Sequence, residues 1–163
     1  MKPLPLNPGQ KISHHIDALF GKGVSRALKI EKIQFEYSRR TGRIKNFSLE
    51  NQLIATLRTD GGLALTVFGA QQLSRVKHFK QNCVIPTQEA LPFVSEGRSL
   101  FCKHVQWCGS NIRTGSDVAV LEKDSNGIRV VATGVALFDN SLMRKYNRGV
   151  AVRIREGIKT RKM

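Results

Sequence analysis

The side chains of this sequence best equipped for chemistry are guanidinium and ammonium groups. Arg144, Lys145, Arg148, Arg153, Arg155, Lys159, Arg161 and Lys162 lie between Arg144 and Met163, and only Glu156 opposes them. An arginine fork donates paired hydrogen bonds to phosphate oxygens, and lysine adds a point charge. Alternation from Val150 onward puts Arg153 and Arg155 on one strand face, opposite Val152 and Ile154. A second cluster, Arg39, Arg40, Arg43 and Lys45, flanks Thr41-Gly42. It either clamps a phosphate backbone or serves only to enter the next strand, its arginines packing on a neighbour.

The rest of the composition agrees. Lys and Arg number 27 against 12 Asp and Glu, a formal charge of +15. Such an excess repels itself unless a polyanion compensates, and nucleic acid is the commonest one. Classical catalysis has little to stand on. Asp60 precedes Gly61-Gly62, and Asp117 and Asp139 sit at turn or cap positions, where acids serve structure. No His–carboxylate or Ser–His pairing stands out, so no catalytic residue is expected. Cys83, Cys102 and Cys108, with His14, His15, His78 and His104, show no metal-ligand spacing. The expectations are no metal, no nucleotide cofactor, and buried free thiols at Cys83 and Cys102. Trp107 is a candidate for stacking a base or for anchoring a core. No run of ~18 apolar residues is present, and no apolar signal region follows Met1 to Pro8, which gives a cytoplasmic expectation without a membrane.

These side chains need a scaffold, and the pattern supplies an α+β one. Residues 1–11 hold Pro3, Pro5, Pro8 and Gly9 and read as a flexible extended arm. Residues 12–81 read as a small N-terminal antiparallel sheet with helices: Ile16, Leu19 and Phe20 at helical spacing, a turn over Val24 to Leu28, then alternating strands near residues 33–37, 44–48, 52–58 and 63–67. The polar, basic stretch Lys77 to Asn82 reads as the boundary.

Residues 82–158 carry their own elements: a strand at Val84-Ile85, a helix N-capped by Thr87 and ended at Gly97, and a strand over Leu100 to Val105. An Asn126-Gly127 hairpin follows, with a long strand that carries a bend or bulge at Gly134, a short helix capped by Asp139 or Ser141, and a last strand from Val150. This is the pattern of a small β pseudo-barrel with short helices. Residues 159–163 form a basic C-terminal tail.

Several runs of this second part carry a resemblance. Gly97-Arg98-Ser99-Leu100-Phe101-Cys102-Lys103-His104-Val105 resembles the helix exit and following strand of the PUA domain. Ile112-Arg113-Thr114-Gly115-Ser116-Asp117-Val118, Val131-Ala132-Thr133-Gly134-Val135-Ala136 and Arg148-Gly149-Val150-Ala151-Val152 resemble later runs of the same family, in order. Ser116 stands as an insertion in the family's Gly-Asp turn. Upstream, Phe20-Gly21-Lys22-Gly23, Arg40-Thr41-Gly42-Arg43-Ile44 and Leu57-Arg58-Thr59-Asp60-Gly61 resemble the region before the PUA domain in archaeal archaeosine tRNA-guanine transglycosylases.

The resemblance implies an RNA surface where the helix exit meets the last strand. The implied residues are Gly97, Arg98, Ser99, Lys103, Arg144, Lys145, Arg148, Gly149, Arg153 and Arg155, with Arg39, Arg40, Arg43 and Lys45 as a secondary basic patch. It implies tRNA as partner, through its acceptor stem or 3′ end. A TIM-type catalytic barrel alone needs ~250 residues. The chain therefore reads as a non-catalytic tRNA-binding subunit beside a separate transglycosylase catalytic chain. The alternative is a free-standing binder of other structured RNA, ribosome-associated or RNA-processing.

Overall fold

The structure is a computed structural model that describes residues 7–160. Helix α1 (Pro8–Phe20) opens it, and buries Ile12, Ile16 and Phe20 along one stripe. Residues 8–11 are thus the first turn of a helix and not part of an extended arm. Asn7 accepts a hydrogen bond from the Gln10 N–H at 2.8 Å, and Pro8 occupies the position where a missing N–H costs nothing. Residues 1–6 of the expected arm lie outside the described residues.

A four-stranded antiparallel sheet follows in the order β1 (Gln34–Tyr37), β2 (Ile44–Leu49), β3 (Gln52–Leu57), β4 (Leu63–Leu65). The last strand is shorter than the pattern suggests. Thr66 leaves it to cap α2 (Val67–Leu73) by accepting the Gly69 N–H at 2.9 Å. The segment expected as a boundary, Lys77–Asn82, is a 3-10 helix, and its Phe79 is fully buried against Phe20.

The second sheet has six strands in the order β6 (Leu100–Phe101), β10 (Val150–Gly157), β9 (Gly127–Ala136), β8 (Asp117–Asp124), β5 (Cys83–Pro86), β7 (Val105–Cys108). It curls into the expected α+β pseudo-barrel. Val118, Val120, Val131, Ala136, Val152 and Leu100 fill its interior. The run read as one strand from Leu100 to Val105 is two. A 3-10 turn, Cys102–His104, lets the chain leave β10 and join β5. Gly134 sits where the ladder is irregular: the β10 register shifts between Ile154, its partner, and Glu156, and a Cβ on Gly134 would run into the Arg153 carbonyl.

The outer face of β8 and β9 is covered by the first sheet. Ala119, Leu121 and Val130 belong to the same core as Phe47, Leu63 and Phe79. Thr133 donates its hydroxyl to the Leu65 carbonyl at 2.8 Å. Asp117, whose side chain is 4% exposed, accepts from Arg58 Nη1 and from the Leu63 N–H, each at 2.9 Å. Burial pushes the Asp117 carboxyl above the usual carboxylate range, and the Arg58 hydrogen bond opposes that. Among the described residues, no helix is long and apolar enough to cross a membrane.

Candidate nucleic-acid interface

The helix exit in the barrel half is built by α3 (Leu91–Ser95), with Pro92 in its first turn. Ala90, not Thr87, stands at its N-cap; the Thr87 hydroxyl lies 3.2 Å from His104 Nδ1 instead. The helix ends at Gly97, whose φ of +98° is the left-handed conformation that favours glycine. Gly97 and Arg98 donate their N–H groups to the Val94 and Phe93 carbonyls, both at 3.0 Å. This tight exit throws Arg98 back over the helix, its guanidinium carbon 5.7 Å from the Phe93 ring centre.

Beyond the exit lies a groove of about 430 Å³, lined by Glu89, Ala90, Phe93, Val94, Arg98, Ser99, Phe101, Lys103 and His104. Phe93 and Phe101 are 52% and 47% exposed, so two aromatic faces stand open beside two cations. Alternation explains Phe101: Leu100 and Cys102 enter the core, and Phe101 must face out at the sheet edge.

The β6–β10 ladder brings the start of the last strand to this groove. Phe101 pairs with Val150, and the Cys102 N–H donates to the Gly149 carbonyl at 2.9 Å. Arg148 and Gly149, both exposed, therefore stand next to Phe101–Lys103. The last described residues return to the same place. The Lys159 N–H donates to the Ser95 carbonyl at 2.8 Å, which fixes that part of the expected tail beside the helix exit. Arg161 and Lys162 lie outside the described residues.

The remaining sequence-selected cations go elsewhere. Arg144, on α4 (Asn140–Lys145), donates to the Cys108 carbonyl at 2.8 Å and so ties that helix to β7. Lys145 is exposed on the same helix. Arg153 is exposed on the outward face of β10, opposite the buried Val152. Arg155 reaches Asp117 at 3.4 Å, in the joint between the two sheets. Arg40, Arg43 and Lys45 line a separate groove on the first sheet, and Arg39 is exposed outside its lining.

The acids have structural tasks. Asp139 caps α4 by accepting the Leu142 N–H at 2.9 Å, and this bond leads the causes that hold its carboxyl below the usual range. Asp60 is held low by the Gly62 N–H and then by Arg58. Cys83, Cys102 and Cys108 are buried, and burial pushes the Cys83 thiol far up. Trp107 lies partly buried on β7 with Lys80 Nζ 4.8 Å from its ring centre. The open aromatics of the groove, Phe93 and Phe101, are not among the residues the sequence pattern selects. For Phe101 the in-out-in pattern of residues 100–102 was the available signal.

Comparison with known proteins places this geometry. Residues 84–158 match the PUA domain, and residues 11–79 match the patch-forming domain C2 of tRNA-guanine transglycosylase. The chain is 34% identical over 142 residues to the tRNA-guanine(15) transglycosylase of Methanothermobacter thermautotrophicus, covering 86% of this chain and 21% of the relative. The Thermoplasma acidophilum transglycosylase is 32% identical over 148 residues, covering 90% of this chain and 23% of the relative. The chain thus spans about a fifth of the length of the curated relatives it matches. Among solved structures, a hypothetical protein from Pyrococcus horikoshii OT3 shares the fold with a TM-score of 0.72 at 20% identity, over 97% of this chain and 94% of that one. A PUA domain from Aeropyrum pernix K1, solved with tartrate, gives 0.65 at 18% identity, over 97% and 85%.

Proposed function

We propose that this chain, whose residues 84–158 match the PUA domain and whose residues 11–79 match the patch-forming domain C2 of tRNA-guanine transglycosylase, is a non-catalytic tRNA-binding subunit. It holds tRNA, by the acceptor stem or 3′ end, for a separate catalytic chain that exchanges the guanine base in archaeosine formation. Both act in the cytoplasm, where tRNA is modified. The observation that carries the reading is the α3–β6 groove: Arg98 and Lys103 line it together with the exposed rings of Phe93 and Phe101, and Arg148 stands at the start of the strand that pairs with Phe101. Cations there neutralise phosphates, and the rings offer faces on which unpaired end bases stack.

The test is to co-express the chain with a transglycosylase catalytic chain that lacks these two domains, and to measure guanine exchange into a tRNA transcript. Co-purification and a rise in exchange on addition support the reading. Exchange unchanged by saturating amounts of the chain, with no co-purification, overturns it.

The second reading is a free-standing binder of other structured RNA. It rests on the recurrence of this two-sheet fold across 94% of the separate Pyrococcus horikoshii chain. RNA recovered after cross-linking in cells separates the two: enrichment of tRNA favours the first, and enrichment of ribosomal or precursor RNA the second.

A further inference from the structure

The α3–β6 groove holds one group that phosphate binding does not use. Among the described residues that line it, Glu89 is the one acid, set with Arg98, Lys103 and His104. It stands in the turn between β5 and α3. That turn is pinned to the 3-10 turn Cys102–His104: the Thr87 N–H donates to the His104 carbonyl at 2.8 Å, and the Ala90 N–H to the Thr87 carbonyl at 3.1 Å. Glu89 and His104 are thereby brought side by side, with Oε2 4.0 Å from Nδ1. Among the described residues, neither Arg98 nor Lys103 comes within ion-pair distance of this carboxylate. The fold does not need the acid either. Its side chain is 85% exposed, and α3 takes no side-chain cap.

A carboxylate in a groove that gathers phosphates repels them and lowers affinity for the backbone. It gains only from donors, because an ionised carboxylate accepts hydrogen bonds and gives none. The ribose 2′-hydroxyl is a donor on every nucleotide. The donors that differ between nucleotides lie on base edges: cytosine and adenine carry amino groups, and uracil has only its ring N3–H. His104 supplies the complementary group. Its Nδ1 lies 3.2 Å from the Thr87 hydroxyl. With that hydroxyl donating to Nδ1, the ring proton sits on Nε2, which has no partner among the described residues. An acceptor beside a donor matches an amino group beside an unprotonated ring nitrogen, the edge that cytosine and adenine share. The exposed rings of Phe93 and Phe101 hold a base by its face, whatever its identity, and leave its edge to be read.

We propose that Glu89 and His104 form a base-reading pair, which selects cytosine or adenine over uracil for the nucleotide stacked on the open rings of the groove. The proposal rests on reading the chain as an RNA binder, and it adds base selectivity to a surface otherwise described by charge and stacking. Arg98 and Lys103 hold the flanking phosphates and carry no sequence information.

The test titrates the full chain with hexacytidylate and hexauridylate, ribo-oligomers equal in length, charge and ring size, at fixed salt. Wild type is expected to bind the cytidine oligomer about tenfold more tightly. Glu89→Ala and Glu89→Gln are each expected to melt as wild type and to bring that ratio to about one, since alanine offers no acceptor and an amide also donates to uracil O4. Equal binding of the two oligomers by wild type overturns the pair. A variant that binds both more tightly with the ratio unchanged also overturns it, because the acid then only repels phosphate. A ratio that vanishes when magnesium is chelated marks a cation held by Glu89 and overturns the direct reading of the base. Wild type that binds a tRNA transcript but neither oligomer overturns the pair and leaves the tRNA surface standing. A chain that binds no RNA at all overturns the functional reading itself.

Discussion

Replacing Asp117 by alanine tests the joint that holds the two sheets in one frame. Asp117 Oδ2 accepts the Leu63 N–H at 2.9 Å, and Leu63 is fully buried. Truncation strands that donor, and a lost hydrogen bond to a charged acceptor costs ~1.5–3 kcal/mol. Arg58 loses one of two carboxylates but keeps Asp60 and some water, so its share is smaller. Arg155 is 37% exposed at its side chain and adds almost nothing. The expected total is about 2–4 kcal/mol, a fall in melting temperature of roughly 5–15 °C for a chain of this size. Asp117→Asn, which keeps the shape and one acceptor, is expected to fall between wild type and alanine. Urea unfolding followed by circular dichroism reads the loss, and a second transition would show the halves parting before they melt. An alanine variant that unfolds with wild type, in one transition, refutes the assignment of the joint to this carboxylate.

Other outcomes follow from the same geometry. Phe101→Ala removes an exposed ring, so it is expected to weaken binding of a single-stranded 3′ end by ~1–3 kcal/mol while leaving the melt unchanged; calorimetry with a short oligonucleotide checks this. Val152→Asp puts an unpaired carboxylate into the barrel interior and is expected to prevent folding, whereas Arg153→Ala on the opposite face melts as wild type. Early melting of Arg153→Ala would contradict the assigned strand faces. Asp17 gives a pH signature. Burial disfavours its charge, but hydrogen bonds from Ser25 and Gly23 outweigh this and hold its carboxyl below the usual range. Its contribution is therefore present above the ordinary carboxylate pKa and lost as pH falls below about 4. The melting temperature of Asp17→Asn should accordingly fall less steeply than that of wild type in that range.

Local rules made much of this architecture legible. The hairpin at Asp124 to Gly127, the Asp139 cap and the alternation of Val152 with Arg153 need only neighbours in sequence, and each forms where the pattern puts it, except that Ser125 and Asn126 make the hairpin's turn while Gly127 already pairs with Asp124. Misreadings arose where distant contacts decide. Phe79 hides inside a polar, basic stretch because Phe20 packs on it. The apolar run from Leu100 splits because β10 claims its start and β5 its end. Pro8 reads as part of an extended arm by composition, but the Asn7 cap makes it the first residue of a helix. At the candidate site the cations were readable as charges, but not their company. Arg144 and Arg155 look like Arg98 in sequence, yet one holds the Cys108 carbonyl and the other leans on Asp117. Phe93 became visible only once the Gly97 exit had folded Arg98 over it.

The central claim is that the α3–β6 groove binds tRNA through its phosphates, and one titration series tests it most directly. The affinity of the full chain for a tRNA transcript is measured from low to moderate salt, for wild type and for Arg98→Ala/Lys103→Ala. The expected wild-type slope of log affinity against log salt is about −3 to −5, made shallower by about two in the variant, with the fold intact in both. A wild-type affinity independent of salt, or a variant that follows the wild-type line, would contradict it.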